Sequence, residues 1–288
     1  MRGVVAAVLS FAALLVQGQE RISDVIYLKQ GGCAFTMDVF KPKTPNHKAV
    51  VWMVSGGWFS NHNNIDPMLA KAFTDRGFTF FEVVHGSQPK YTIPEIVPMV
   101  RRAIRFVRFN ASNYDVDPKE IGVSGGSAGG HLSLEIGGLG DDGDPNAKDP
   151  VDKVSSRVQA IVAFFPPTDF ENWGRDNFTP LDAPQMSIFL PAFGVTAQTP
   201  KDVRQKIAHD TSPIILVKAD FPPTLLVHGD ADTLVPVQQS QKLDALFEAL
   251  HVTHKLIVVH GTGHGGDTFV KGLPDAINWF DSNLKAKS

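Results

Sequence analysis

Disulfide chemistry is absent from this chain. Cys33 is its one cysteine in 288 residues, so no bridge can form within it and stability must come from a packed core. Cys33 is expected to be a small buried residue on an early strand. An excess of either charge is also missing. Without residues 1–18, which carry Arg2 and no acid, the 27 Lys and Arg become 26 against 30 acids, a net charge of −4. With no basic run, neither nucleic acid nor an anionic membrane surface is indicated as a partner. Long apolar runs are scarce too. The one that stands out, Val4–Val16, follows Arg2 and precedes Gln17-Gly18-Gln19-Glu20, the pattern of a secretory signal peptide. It is shorter than the ~20 residues a spanning helix needs. Residues 1–18 are therefore expected to be a signal peptide, residues 19–288 the mature domain, and the location secreted or periplasmic. No cysteine at the boundary suggests a lipid anchor, and internal repeats are absent.

Ordinary globular composition remains, with 43% apolar and 20% charged residues. Short apolar runs alternate with helical periodicity, which predicts a mostly parallel sheet covered by helices on both faces. Ile22–Leu28 and Phe35–Phe40 are expected to open the sheet as a pair. Ala49–Val54, Phe78–Val84, Glu120–Ser124, Val158–Phe164, Pro223–His228 and Lys255–Val259 follow as further strands. Asp66-Pro67 begins one helix and Gly77 ends it. Residues 96–108 place Ile96, Val100, Ala103, Ile104 and Val107 on one helical face, with Arg101, Arg102 and Arg105 largely on the other. Later helices are predicted from the turn at 125–130 to about Ile136, over Val237–Leu250, and near Pro274–Leu284. Gly138–Ser156 is acidic, misses the spacing of a calcium loop and is expected to be a solvated loop. Residues 170–211, with Phe170, Trp173, Phe178, Phe189 and Phe193, form a long connection of the kind that covers a site; plain packing of a surface excursion is the alternative.

The chemistry-bearing residues fall at strand ends. Gly125-Gly126-Ser127-Ala128-Gly129 lies between a buried strand and a helix, the setting in which G-x-S-x-G lifts a serine out of the sheet. A serine hydroxyl needs a base to take its proton, and imidazole titrates in the useful range. Among ten histidines, His264 in Gly261-Thr262-Gly263-His264-Gly265 follows the last strand between glycines, with His260 as its rival. His131, one turn beyond Ser127, is expected to be structural, while His62, His85 and His228 are placed to line the site. Asp232, in the turn after Leu225–Gly229, would fix the imidazole tautomer. Its neighbour Asp230 is expected to hold the turn through its own backbone. Ala128, together with Gly57 or Trp58 of Ser55-Gly56-Gly57-Trp58, would donate amides to an oxyanion.

At these residues the chain resembles the α/β-hydrolase superfamily, within it the small esterases related to acetyl-, feruloyl- and hormone-sensitive-lipase-like enzymes. GGSAGGH at 125–131, HGDADTLVP at 228–236 and GTGHG at 261–265 carry the likeness, which runs from about Met37 to the end. It implies an eight-stranded α/β-hydrolase domain with a modest cap insertion, and it too places the triad acid at Asp232. One position departs: Ser55 stands where that group usually has the first histidine of His-Gly-Gly-Gly. The expected activity is serine esterase action on short acyl esters, through Ser127, Asp232 and His264. No metal or organic cofactor is implied. The expected substrate is a small-molecule or polysaccharide-linked ester. A prolyl-oligopeptidase-type peptidase shares the triad but usually carries a large extra domain for which this chain has no room. An inactive binding protein of the same fold is the remaining alternative.

Overall fold

The computed structural model describes residues 19–285, so the expected signal peptide lies outside the described residues. Runs rich in Val, Ile and Phe become the strands of one sheet. They are β1 (Gln19–Gln30), β2 (Cys33–Pro42), β3 (Ala49–Met53), β4 (Thr79–Val83), β5 (Ile121–Gly126), β6 (Ala160–Phe164), β7 (Thr224–Gly229) and β8 (His254–Val259). Their spatial order is β1-β2-β4-β3-β5-β6-β7-β8. β2 runs antiparallel to β1 and β4, and every later pairing is parallel. This is the eight-stranded, mainly parallel α/β-hydrolase sheet expected.

Both faces of the inner parallel strands are buried, and alternate residues divide between two cores, while β8 at the edge is only half-buried. Val51, Met53, Ile161, Ala163 and Leu226 face one core, against α2 (Ile93–Phe109), α3 (Ala128–Leu139) and α5 (Gln238–Ala249). Val50, Val162, Phe164, Leu225 and Val227 face the other, against α1 (Pro67–Thr74) and α6 (Gly266–Asn283). Helix starts follow local chemistry. Asp66 accepts hydrogen bonds from the amides of Met68 and Leu69 at the start of α1. At the start of α2, the Glu95 carboxylate accepts from the Thr92 amide at 2.8 Å.

Four expectations need correction. The last helix begins at Gly266, not near Pro274, which lies inside it. The preceding turn brings Phe269 against Trp52 and Phe164, and that packing outweighs the proline's missing amide hydrogen. α3 runs on through Gly137 and Gly138 to Leu139; these glycines serve close packing and not a helix end, since a Cβ at either would collide with Phe221 or Leu216. The acidic loop is pinned, not merely solvated: Arg101 and Arg105 both pair with Asp141, and Arg102 reaches Asp149 at 2.6 Å and Asp152 at 2.7 Å. Cys33 is on an early strand but half-buried, since it opens β2 at the hairpin, with Lys90 Nζ 3.2 Å away.

The connection between β6 and β7 holds short 3-10 turns, among them Pro184–Phe193, and α4 (Lys201–Asp210). Its Phe170, Trp173, Leu190 and Phe193 are buried against Trp58 and the core below.

Candidate active site

Ser127 occupies the sharp turn from β5 to α3 with φ 54° and ψ −118°, a conformation L-residues avoid. Two features hold it there. The Ser127 amide donates to the Phe164 carbonyl on neighbouring β6 at 2.9 Å. The turn also requires glycine beside it, because a Cβ at Gly125 would stand 2.4 Å from the Gly129 carbonyl carbon. The hydroxyl thus sits at the positive end of α3.

Two other strand ends meet it. His264 follows β8, and its Nε2 lies 2.9 Å from Ser127 Oγ. Its Nδ1 lies 2.7 Å from Asp232 Oδ2, in the turn after β7. An ionised carboxylate only accepts, so Nδ1 carries the hydrogen and Nε2 is free to accept from the serine hydroxyl. The structure therefore brings together the three residues named from the sequence. The rival His260 is turned to solvent, 87% exposed at the side chain, and pairs with Asp230 at 2.7 Å. Asp230 also accepts from the Gly261 amide. It holds the histidine loop to the acid turn, a longer-range task than the local turn bond expected of it.

Asp232 is well supplied with donors. Oδ1 accepts from the amides of Leu234 and Val235, both at 2.9 Å. Oδ2 faces His264 and, at 3.3 Å, His228 Nε2. Burial alone would raise its pKa; hydrogen bonds from His228, His264 and Val235 outweigh that and hold the carboxyl well below the usual carboxylate range.

His228 does not line the site as expected. It lies wholly buried behind Asp232, with Nε2 2.9 Å from the Val235 carbonyl and Nδ1 2.7 Å from Ser240 Oγ. His85 is buried against the Gly86 carbonyl, and His62 bonds Thr36 Oγ1, so neither lines the cavity beside Ser127. His131 is buried and structural, its Nε2 2.9 Å from the Thr211 carbonyl. Sequence reasoning missed Phe165. At φ 38°, it sets its ring 4.7 Å from the His264 ring and closes one side of the imidazole. Its place at the C-terminal end of β6, next in the sheet to the serine's strand, was the available signal.

Beside Ser127 lies a cavity of about 30 Å³, walled by Gly57, Trp58, Phe170, Leu181, Met186, Phe189 and Phe193 among others. Gly57, Trp58 and Ala128 donate their amide hydrogens to no backbone acceptor among the described residues. Gly57 and Trp58 both have positive φ, 56° and 61°. For a tryptophan that conformation costs ~1–3 kcal/mol. Its ring packs on four others, His131, Phe170, Phe189 and Phe193, at 5.1–6.2 Å. Each such aromatic pair contributes ~0.5–1.5 kcal/mol, so together they offset the strain. At Gly57 a Cβ would stand 2.5 Å from Phe189, so that position too admits only glycine.

An eight-stranded sheet with a strained serine, a histidine and an acid at three strand ends defines an α/β-hydrolase. The chain belongs to the BD-FAE family, whose model matches residues 37–247. It is 30% identical to "Probable carboxylic ester hydrolase LipM" of Mycobacterium tuberculosis over 67% of its own length and 43% of that protein. It is similar in structure to a truncated carbohydrate esterase from gut microbiota, with TM-score 0.78, 26% identity, and 93% of this chain and 97% of that one covered. An acetyl ester-xyloside bifunctional hydrolase from Caldicellulosiruptor lactoaceticus matches with TM-score 0.71 and 25% identity, over 89% of this chain and 92% of that one. The chain spans about half the length of the curated relatives it matches. These likenesses group it with the α/β-hydrolase esterases.

Proposed function

We propose that this protein is a serine carboxylic-ester hydrolase that removes short acyl groups, acetyl above all, from carbohydrate or other small alcohols. The observation that carries this reading is the unbroken contact from Ser127 Oγ through His264 to Asp232, with a small apolar cavity alongside. Ser127 attacks the ester carbonyl while His264 Nε2 takes its proton. Asp232 fixes the tautomer and stabilises the imidazolium. Charge gathers on the former carbonyl oxygen, and the amides of Ala128 and of Gly57 or Trp58 are the donors for it. The imidazolium returns its proton to the departing alcohol, leaving an acyl-enzyme. Water, deprotonated by the same nitrogen, then releases the acid.

The cavity supports a small acyl group. A space of about 30 Å³ holds roughly two water-sized groups, enough for an acetyl methyl and little beyond a butyryl chain. The carbohydrate alcohol is suggested by the names of the similar solved structures. We also propose that residues 1–18 direct export, which N-terminal sequencing of the mature protein tests.

A fluorophosphonate probe followed by mass mapping tests the mechanism. Ser127 should carry the label, and Ser127→Ala should be folded and inactive. A panel of p-nitrophenyl esters, acetylated xylo-oligosaccharides and peptide amides then tests the substrate class. Cleavage of amides without esters favours the peptidase alternative, and no label with no turnover favours a binding protein.

A further inference from the structure

We infer that Gln88 and His131 are positioning residues that aim the Trp58 amide at the reacting carbonyl, holding the oxyanion loop from outside it. The inference rests on the acyl-transfer reading above.

The loop's own residue offers no support of this kind. Ser55 Oγ is buried and has no hydrogen-bond partner among the described residues. Gln88 does the work instead. Its Nε2 donates to the Gly57 carbonyl at 2.5 Å, and its backbone amide donates to the Trp58 carbonyl at 3.2 Å. The Gly57–Trp58 peptide bond is trans, so its carbonyl and amide hydrogen point in opposite directions. Drawing the Gly57 carbonyl toward Gln88 therefore turns the Trp58 N–H away from it. Gly57 and Trp58 line the cavity beside Ser127, whereas Gln88 does not. Gln88 is itself buried, and among the described residues its Oε1 has no partner and the Gly57 contact is the side chain's only hydrogen bond.

His131 fixes the other end of the same residue. Its Nε2 faces a carbonyl, Thr211 O at 2.9 Å, so that nitrogen carries the hydrogen. Nδ1 is then a bare acceptor, 3.3 Å from the Trp58 indole Nε1–H. The remaining polar group nearby is the Glu135 carboxyl, 3.6 Å from Nε2, and Phe170 packs on the ring. An imidazolium would turn a second N–H toward the indole N–H. Burial pushes the His131 pKa down to about 4, which keeps the acceptor form through neutral pH. His131 lies on α3, four residues after Ser127, so one helix registers both the nucleophile and the loop facing it.

Steady-state kinetics on p-nitrophenyl acetate test this. Gln88→Glu keeps the shape but replaces the donor with an acceptor against the Gly57 carbonyl. His131→Leu removes the acceptor, and Trp58→Phe keeps a ring while removing the indole donor. Each should lower kcat on the order of ten-fold with KM within about two-fold, the pattern of an interaction made in the transition state. His131→Asn, whose Oδ1 stands where Nδ1 stood, should recover most of kcat although it loses Thr211. Trp58→Phe reads the same bond if His131→Leu fails to fold. Wild-type kcat in Gln88→Glu and Trp58→Phe, a change confined to KM, or no recovery in His131→Asn overturns the inference. Ser127→Ala separates the two readings. If it is dead while the other variants keep wild-type kcat, only the positioning role fails. If it retains turnover, the acyl-transfer reading itself fails.

Discussion

Replacing Asp232 by asparagine perturbs one atom of the site in a way the geometry makes calculable. Oδ1 accepts two backbone amides, from Leu234 and Val235, and these hold the asparagine's carbonyl oxygen in that place. The new NH₂ must then occupy the position of Oδ2, 2.7 Å from His264 Nδ1. An amide nitrogen donates where the carboxylate accepted, so Nδ1 loses its hydrogen and Nε2 gains one. Nε2, 2.9 Å from Ser127 Oγ, can then no longer take the serine proton. The wrong tautomer costs on the order of 10⁴-fold in kcat, or about 5.5 kcal/mol of transition-state stabilisation. His228 Nε2–H also meets the NH₂, but it keeps the Val235 carbonyl at 2.9 Å, so the fold should survive with a penalty of ~1 kcal/mol. Asp230→Asn provides the contrast. It loosens the contacts to His260 and Gly261 at the surface, where solvent screens the pair, and kcat should fall less than ten-fold. Ester turnover of both variants, with circular dichroism and denaturant titration for folding, reads the outcome. A folded Asp232→Asn enzyme within ten-fold of wild type refutes the tautomer argument, and collapse of the Asp230 variant instead reverses the assignment of the acid.

Acyl-chain preference should run from acetyl to butyryl and fall sharply beyond, and Phe189→Ala, which removes a cavity wall, should raise hexanoyl turnover relative to acetyl; an unchanged ratio argues against the wall. Gly125→Ala should disrupt the turn at Ser127, since its Cβ meets the Gly129 backbone at 2.4 Å; fluorophosphonate labelling at the wild-type rate would contradict this. Folding stability should be level between about pH 4.5 and pH 6.5 and fall above it. Burial pushes Glu82 and Glu135 up to about 8, so the stability of their neutral forms is complete below ~4.5 and is lost as pH rises toward 8. Burial pushes His85 and His131 down to about 4, so their contribution is complete above ~6.5 and is lost as pH falls toward 4. The two pairs oppose each other in the middle range and leave the acids alone above it, at ~1.4 kcal/mol per pH unit for each. Urea midpoints that rise from pH 6.5 to 8 would contradict this.

The sheet was legible because strands buried on both faces are continuous apolar runs. Ala49–Met53 and Thr224–His228 could hardly be read otherwise. Ser127, Asp232 and His264 were legible for a related reason, since each follows such a run in a glycine-rich turn. What the sequence hid were contacts between distant segments. Gln88 lies 31 positions from Gly57 and meets its backbone, and no motif announces a bond from a side chain to a carbonyl. His228 carries the right chemistry for a site, but only the fold decides that it stands behind the acid. The start of the last helix was obscured because Gly265, Gly266 and Pro274 all suggest a boundary. Packing of Phe269 and Thr268 chose among them.

The groups proposed to meet the reacting atoms follow β3, β5, β7 and β8, while most of the wall of the cavity beside Ser127 comes from the excursion between β6 and β7. The two stretches are nevertheless interlocked, since three of the four rings packed on Trp58 belong to the excursion. The excursion is moored to the sheet and helices at many points: Thr168 and Asp169 on Gln239, Asn172 and Gly174 on Gln238, Asp169 on Lys242, and the Thr211 carbonyl on His131. Loop-closure entropy changes slowly with length, so a lengthened or shortened excursion that keeps these moorings costs little. A descendant lineage that rewrites this stretch is therefore free at its surface turns but bound to keep Phe170, Phe193 and Thr211, which hold Trp58 and His131 in place.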